Sequence, residues 1–167
     1  MKLAFAALIL ALWPLTALPA AALDAPKGPV VLTITGHIAN ANSNGSATFD
    51  MAMLEALKGR NASMETPWTE GFTKFEGPLL RAVLEAAGAK GKALKVIALN
   101  DYSADVPMED ATELNSILAV KMNGEAMSVR DKGPLFLIYP FDEKPELYNE
   151  KYFSRSVWQI KQIEVVD

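Results

Sequence analysis

The run Leu135-Phe136-Leu137-Ile138-Tyr139 is apolar at every position and is closed at both ends by proline, Pro134 and Pro140. A stretch so short, with no polar face, reads as a strand covered on both sides and is expected at a sheet centre. Around it the chain offers more strand-like segments than helical ones. Residues 30–36 alternate, with Val30, Leu32 and Ile34 on one face and Val31, Thr33 and Thr35 on the other. Residues 93–99 and 102–106 flank Asn100-Asp101 as a hairpin, residues 117–122 end at the turn pair Asn123-Gly124, and residues 157–166 form a less regular last strand.

Two helices stand out. Asp50 caps a helix over residues 51–58, with Phe49 and Leu54 as a hydrophobic staple and Gly59 at its end. A second starts at Pro78, carries the stripe Leu79, Leu80, Val83, Leu84 and Ala87, and stops at Gly88. The polar stretch 40–46 is a loop. The expected class is α+β, a mixed, largely antiparallel sheet with a few short helices.

Residues 1–22 combine Lys2, an apolar run from Leu3 to Leu12, the helix breaker Pro14 and the terminal Ala20-Ala21-Ala22. That order is the one read as a secretory signal, and Pro14 and Pro19 interrupt it well short of the ~20 apolar residues needed to span a bilayer. The chain is therefore expected to be exported, periplasmic or secreted. Residues 23–167 are expected to form one domain, with no membrane span once the signal is removed. No Arg-Arg pair precedes the apolar run, which suits export of an unfolded chain.

Composition narrows the chemistry. With 16 Lys plus Arg against 20 Asp plus Glu, the chain has no basic surplus for a phosphate backbone, so nucleic acid is not an expected partner. Zero cysteines and one histidine exclude disulfides, thiolate nucleophiles and sites built on several imidazoles. His37, alone after the first strand, reads as a structural or exposed residue. Asp142, Glu143, Glu146 and Glu150 match no calcium loop and read as a solvated acidic helix. The sequons at Asn44 and Asn61 are taken as chance matches.

Several segments recur in an order that resembles a known family: Phe75-Glu76-Gly77-Pro78-Leu79-Leu80, Ala98-Leu99-Asn100-Asp101-Tyr102, Met122-Asn123-Gly124-Glu125, Gly133-Pro134-Leu135, Ser156-Val157-Trp158 and Ile163-Glu164-Val165. Together they are similar to the molybdopterin-binding domain of the sulfite oxidase family, over nearly all of residues 30–166. The resemblance implies that domain's α+β fold and a pterin-molybdenum oxidoreductase. It also implies a Cys ligand to molybdenum after the first helix, followed by an Arg-rich run, and a Lys before a Trp near the last strand for the pterin phosphate. Here the first segment reads Met64-Glu65-Thr66-Pro67-Trp68-Thr69-Glu70-Gly71 and the second Val157-Trp158-Gln159. A neutral Met thioether does not replace an anionic thiolate, and Met64 reads as a core residue.

The expected function is accordingly a degenerate, non-catalytic exported module that binds a small anionic ligand or a partner such as an exported or membrane sensor protein, with no cofactor. The alternative is a molybdopterin-dependent oxidoreductase that lacks a Cys metal ligand. Candidate ligand-binding residues are Trp68, Asn100, Tyr102, Arg130, Lys132 and Arg155, aromatic, amide and cationic groups placed in loops. Removal of the signal after Ala22 predicts that the intact mass of the exported species begins at Leu23. Full-length chain in the membrane fraction would contradict it.

Overall fold

A computed structural model describes residues 22–167 of the chain. The signal expected over residues 1–22 lies, apart from Ala22, outside the described residues. Among these, no helix is long and apolar enough to cross a membrane.

The first strand, β1 (Val30–Gly36), turns Leu32 and Ile34 into the core, as its alternation predicts. The polar loop then closes on itself through the bridge Ser43↔Ser46, with Asn44 and Gly45 at φ 44° and 79°. It returns the chain as β2 (Ala47–Asp50), antiparallel to β1. Asp50 caps α1 (Met51–Ala56) as expected: Oδ1 accepts from Met53 N at 2.9 Å. Its Oδ2 accepts from Gly28 N and Lys27 N, both at 2.8 Å. These amide donors, Met53 foremost, hold the Asp50 carboxyl below the usual carboxylate range.

Several expectations need correction here. The helix ends at Ala56 with Leu57 as its cap, and Gly59 does not stop it but opens β3 (Gly59–Met64). β3 pairs antiparallel with β4 (Thr73–Pro78). Pro78 therefore ends a strand and does not begin a helix; α2 (Leu80–Ala87) starts two residues later with Leu79 as N-cap. The reason lies in its neighbours. Leu79 N donates to Lys58 O and Leu80 N to Ser116 O, both at 2.9 Å, so flanking chain satisfies donors that a side-chain cap would otherwise meet. The apolar stripe Leu80, Val83, Leu84 and Ala87 is buried as expected, and Gly88 ends the helix in the left-handed conformation at φ 64°.

The expected hairpin forms from β5 (Ala93–Ala98) and β6 (Ser103–Pro107), with Asp101 at φ 65° in its turn. α3 (Met108–Thr112) follows. The single strand expected over 117–122 is divided at Val120 into β7 (Ile117–Ala119) and β8 (Lys121–Met122). β8 pairs with β4 and with β9 (Glu125–Ala126). β7 pairs instead with β10 (Phe136–Ile138), the core of the proline-bounded run. A Cβ on Gly77 of β4 would run into the Leu118 carbonyl, so the close approach of β4 to β7 requires glycine there.

β10 is thus not a sheet centre, although Leu135 to Tyr139 are all buried. Its sheet has only two strands, and its second edge is met by the irregular segment before β11, through the bridge Phe136↔Trp158 and the hydrogen bond from Leu137 N to Val157 O. The acidic helix is also corrected. Asp142 and Glu143 pair with Arg60, residues 145–147 make one 3-10 turn, and of the four acids only Glu150 enters α4 (Glu150–Phe153).

The last strand, β11 (Ile160–Val166), begins later than expected because Gln159, at φ 53°, interrupts the extended backbone. β11 lies parallel to β1 and antiparallel to β5, completing a five-stranded sheet of order β2-β1-β11-β5-β6. Smaller sheets, β3-β4-β8-β9 and β10-β7, lie beside it. The architecture is α+β with mixed, largely antiparallel sheets, as the sequence predicts. Its buried side chains form one continuous core that includes Met64.

A polar group enters that core. The Tyr139 hydroxyl donates to Asp110 Oδ2 at 2.8 Å, and Arg155 Nη1 donates to the same oxygen at 2.8 Å. Burial, followed by the neighbouring Asp110 charge, pushes Tyr139 well above the ordinary phenol range, so it remains a donor. Arg155 balances the Asp110 carboxylate and lies over the Tyr152 ring at 5.7 Å. Arg155→Ala leaves a largely enclosed carboxylate without its cation and is expected to lower unfolding free energy by about 2 kcal/mol. Arg130→Ala, at an exposed position, is expected to change it by less than about 0.5 kcal/mol. Urea unfolding of both variants checks this.

Candidate functional site

The clearest concavity is a cleft of about 420 Å³ bounded by the Trp68 loop, the β5–β6 turn, α4 and the segment entering β11. Each wall is fixed locally. Thr66 Oγ1 lies 2.8 Å from Thr69 Oγ1 and accepts from Trp68 N at 3.3 Å, closing a tight turn that presents the indole. In the hairpin, Asn100 Oδ1 accepts from Tyr102 N at 3.2 Å. Leu99 N donates to Gln159 O at 2.8 Å, anchoring this hairpin beside the β11 entrance. The Tyr102 hydroxyl reaches across and donates to Ser154 O at 3.2 Å, tying the hairpin to the end of α4.

The aromatic walls share a buried support, Phe136. Its ring centroid is 5.4 Å from Trp68 and 6.0 Å from Trp158, both in edge-to-face geometry. Trp68 also meets Trp158 at 6.1 Å and 67°, and Phe153 at 5.7 Å and 78°. Such perpendicular contacts are the favoured arrangement of aromatic quadrupoles. Trp158 is 39% exposed and Tyr102 51% exposed, so both also face solvent.

The hydroxyls are already engaged as donors: Ser154 Oγ donates to Lys151 O and Ser156 Oγ to Tyr152 O, each at 2.9 Å. Neither is paired with a base. Among the described residues Glu150 is the only ionisable carboxylate on the lining, and no Lys or Arg lies there. Those features describe a cleft suited to holding a flat or apolar group; they do not assemble a nucleophile with a base to activate it.

Of the six residues singled out in the sequence, the structure brings Trp68, Asn100 and Tyr102 together in this cleft. Arg130, Lys132 and Arg155 are not part of its lining. Arg130 is exposed in a 3-10 turn, and Lys132 ends that turn in the left-handed conformation at φ 71°. Lys132 contributes its backbone, whose carbonyl accepts from Gln159 N at 3.0 Å. Arg155 is committed to Asp110. His37, exposed after β1, sits 3.2 Å from Asp167. Sequence reasoning left Phe153, Glu150 and Trp158 out of the site. The second Trp near the last strand was visible as a residue, but its edge contact with Trp68, ninety positions away, had no local signature.

The segment where the resemblance implies a molybdenum ligand borders a second, more open cleft of about 590 Å³. Met64 is buried there in the core, and the remaining lining includes Glu65, Asp142 and the exposed Phe72. Among the described residues no group of three or more His, Asp or Glu could hold a metal ion. At the position implied for the phosphate-binding Lys stands Val157, which is buried and apolar. A pterin phosphate needs cationic or amide donors, and molybdenum a soft anionic ligand. The side chains at these two positions supply neither, so they do not fit the group.

No curated protein matches the chain. The family model described as "Oxidoreductase molybdopterin binding domain" matches residues 39–167, from just after β1 through β11 and including all four walls of the Trp68–Trp158 cleft. On that match, which spans most of the chain and agrees with its α+β architecture, the chain belongs to the oxidoreductase molybdopterin-binding domain family.

Proposed function

We propose that this chain is an exported, non-catalytic binding module of its family, in which the Trp68–Trp158 cleft holds a small organic ligand. One observation carries the reading: the best-formed concavity is walled by aromatic side chains and contains neither a cation nor a soft metal ligand. Burial against two indoles and a phenyl ring favours a flat or compact apolar group. The anion expected from the sequence has no counter-charge in this cleft, because Arg155 is held by Asp110 and Arg130 and Lys132 lie elsewhere. Export rests on the signal-like residues 1–22. The position implied for the phosphate contact is apolar and the segment implied for the thiolate offers only the neutral, buried Met64 thioether, which is why a binding role is favoured over the oxidoreductase alternative.

The fold gives binding a rigid platform. Phe136 fixes both indoles from behind and the Tyr102–Ser154 hydrogen bond fixes the two sides, so little ordering cost falls on the ligand-bound state. A thermal-shift and tryptophan-fluorescence screen of small heterocycles and organic ions is expected to yield hits that perturb Trp emission. For such hits, Trp158→Ala is expected to weaken binding by about 1 kcal/mol or more. Hits unaffected by Trp158→Ala and by Tyr102→Ala, in chains that fold normally, would place the ligand site elsewhere.

A further inference from the structure

We infer that the ligand of the Trp68–Trp158 cleft is an alkylated ammonium ion, an organic cation of the choline type. This inference rests on the reading of the cleft as a binding site and names its ligand class. The observation is a combination: four aromatic side chains, Trp68, Tyr102, Phe153 and Trp158, line one cleft whose only formal charge among the described residues is the carboxylate of Glu150. Trp68 stands at 67° to Trp158 and 78° to Phe153, so these rings do not lie in a flat stack. Aromatic faces carry negative electrostatic potential, and a group of them attracts a diffuse positive charge.

Three nearby cations are already placed against other groups. Lys151 Nζ lies 5.1 Å from the Tyr152 ring centroid, Arg155 is bound to Asp110, and Lys161 is 2.6 Å from Asp101. Among the described residues Glu150 has no ion-pair partner, and it is exposed at the cleft margin. A ligand cation would find a carboxylate with no competing Lys or Arg on the lining.

The same lining discriminates between kinds of cation. A primary ammonium must replace several water hydrogen bonds on entry, and most of the lining is apolar or aromatic. A fully alkylated ammonium has no N–H to satisfy, and its methyl groups suit the apolar walls formed by Ala98, Val157 and the rings. The chain's formal charge of −4 also favours approach of a cation over an anion.

The test is calorimetric titration of the full chain with choline chloride and, separately, with dimethylbutanol, the neutral carbon isostere of choline. Choline is expected to bind at least about tenfold more tightly than the isostere, and Trp158→Ala to weaken it about tenfold or more. Glu150→Gln, at an exposed position that should leave folding intact, is expected to weaken choline several-fold and to reduce the dependence of affinity on salt. Equal binding of choline and the isostere would overturn the cation preference while leaving the cleft as a binding site. Choline binding unchanged by both variants would overturn the assignment to this cleft. Absence of choline binding overturns the inference outright; the binding reading itself falls only if the wider ligand screen also finds nothing at these residues.

Discussion

Burial of Phe136 is the constraint on which the rest of the arrangement depends. It is fully buried on β10, and its ring touches Phe75 of β4, Trp68 of the preceding loop and Trp158 before β11. β7 is the one full strand paired with β10; its other edge is met by the segment entering β11, through the bridge Phe136↔Trp158 and the hydrogen bond from Leu137 N to Val157 O at 2.9 Å, and the rings pack over this junction. One side chain therefore joins the small sheets to the segment leading into the five-stranded sheet, and the same contact sets the back wall of the cleft. Large aromatic burial of this kind contributes through area removed from water and through edge-to-face geometry. Deleting that ring would loosen the core and unseat both indoles together.

The polar constraints are arranged around this apolar centre. Asp110, fixed by Tyr139 and Arg155, orders the approach to α4 and the chain beyond it. Asp50 performs a comparable role at the other side, joining residues 27 and 28 to the start of α1. Both use a carboxylate to satisfy several donors, and neither faces the cleft. That division explains why the charged residues with the strongest sequence signal are structural, while the cleft is largely aromatic.

What the sequence revealed follows from the range of each signal. β1, the β5–β6 hairpin, the stripe of α2 and the Asp50 cap are encoded by residues within a few positions of one another, and each was legible. β3 was not, because Gly59-Arg60-Asn61-Ala62-Ser63-Met64 has little intrinsic strand preference and is extended mainly by its pairing with β4. Pro78 satisfied the local rule for a helix start, yet the hydrogen bonds that decide the boundary come from Lys58 and Ser116. The site divided in the same way. Trp68, Asn100 and Tyr102 occupy turns that could be recognised locally, whereas Arg155 looked available until its partner Asp110, forty-five residues earlier, was placed beside it. The likeness to the molybdopterin-binding domain family supplied long-range order that periodicity could not, and the departures at Met64 and Val157 pointed to altered chemistry.

The central claim is that this family member uses its fold to bind an organic ligand and not to carry the pterin-molybdenum group. Elemental analysis of protein isolated from its own host, grown with ample molybdate, tests it most directly. The account predicts molybdenum far below one atom per chain, with no fluorescent pterin released on oxidation. Near-stoichiometric molybdenum accompanied by released pterin would contradict it and would establish that the group can be held without a protein thiolate.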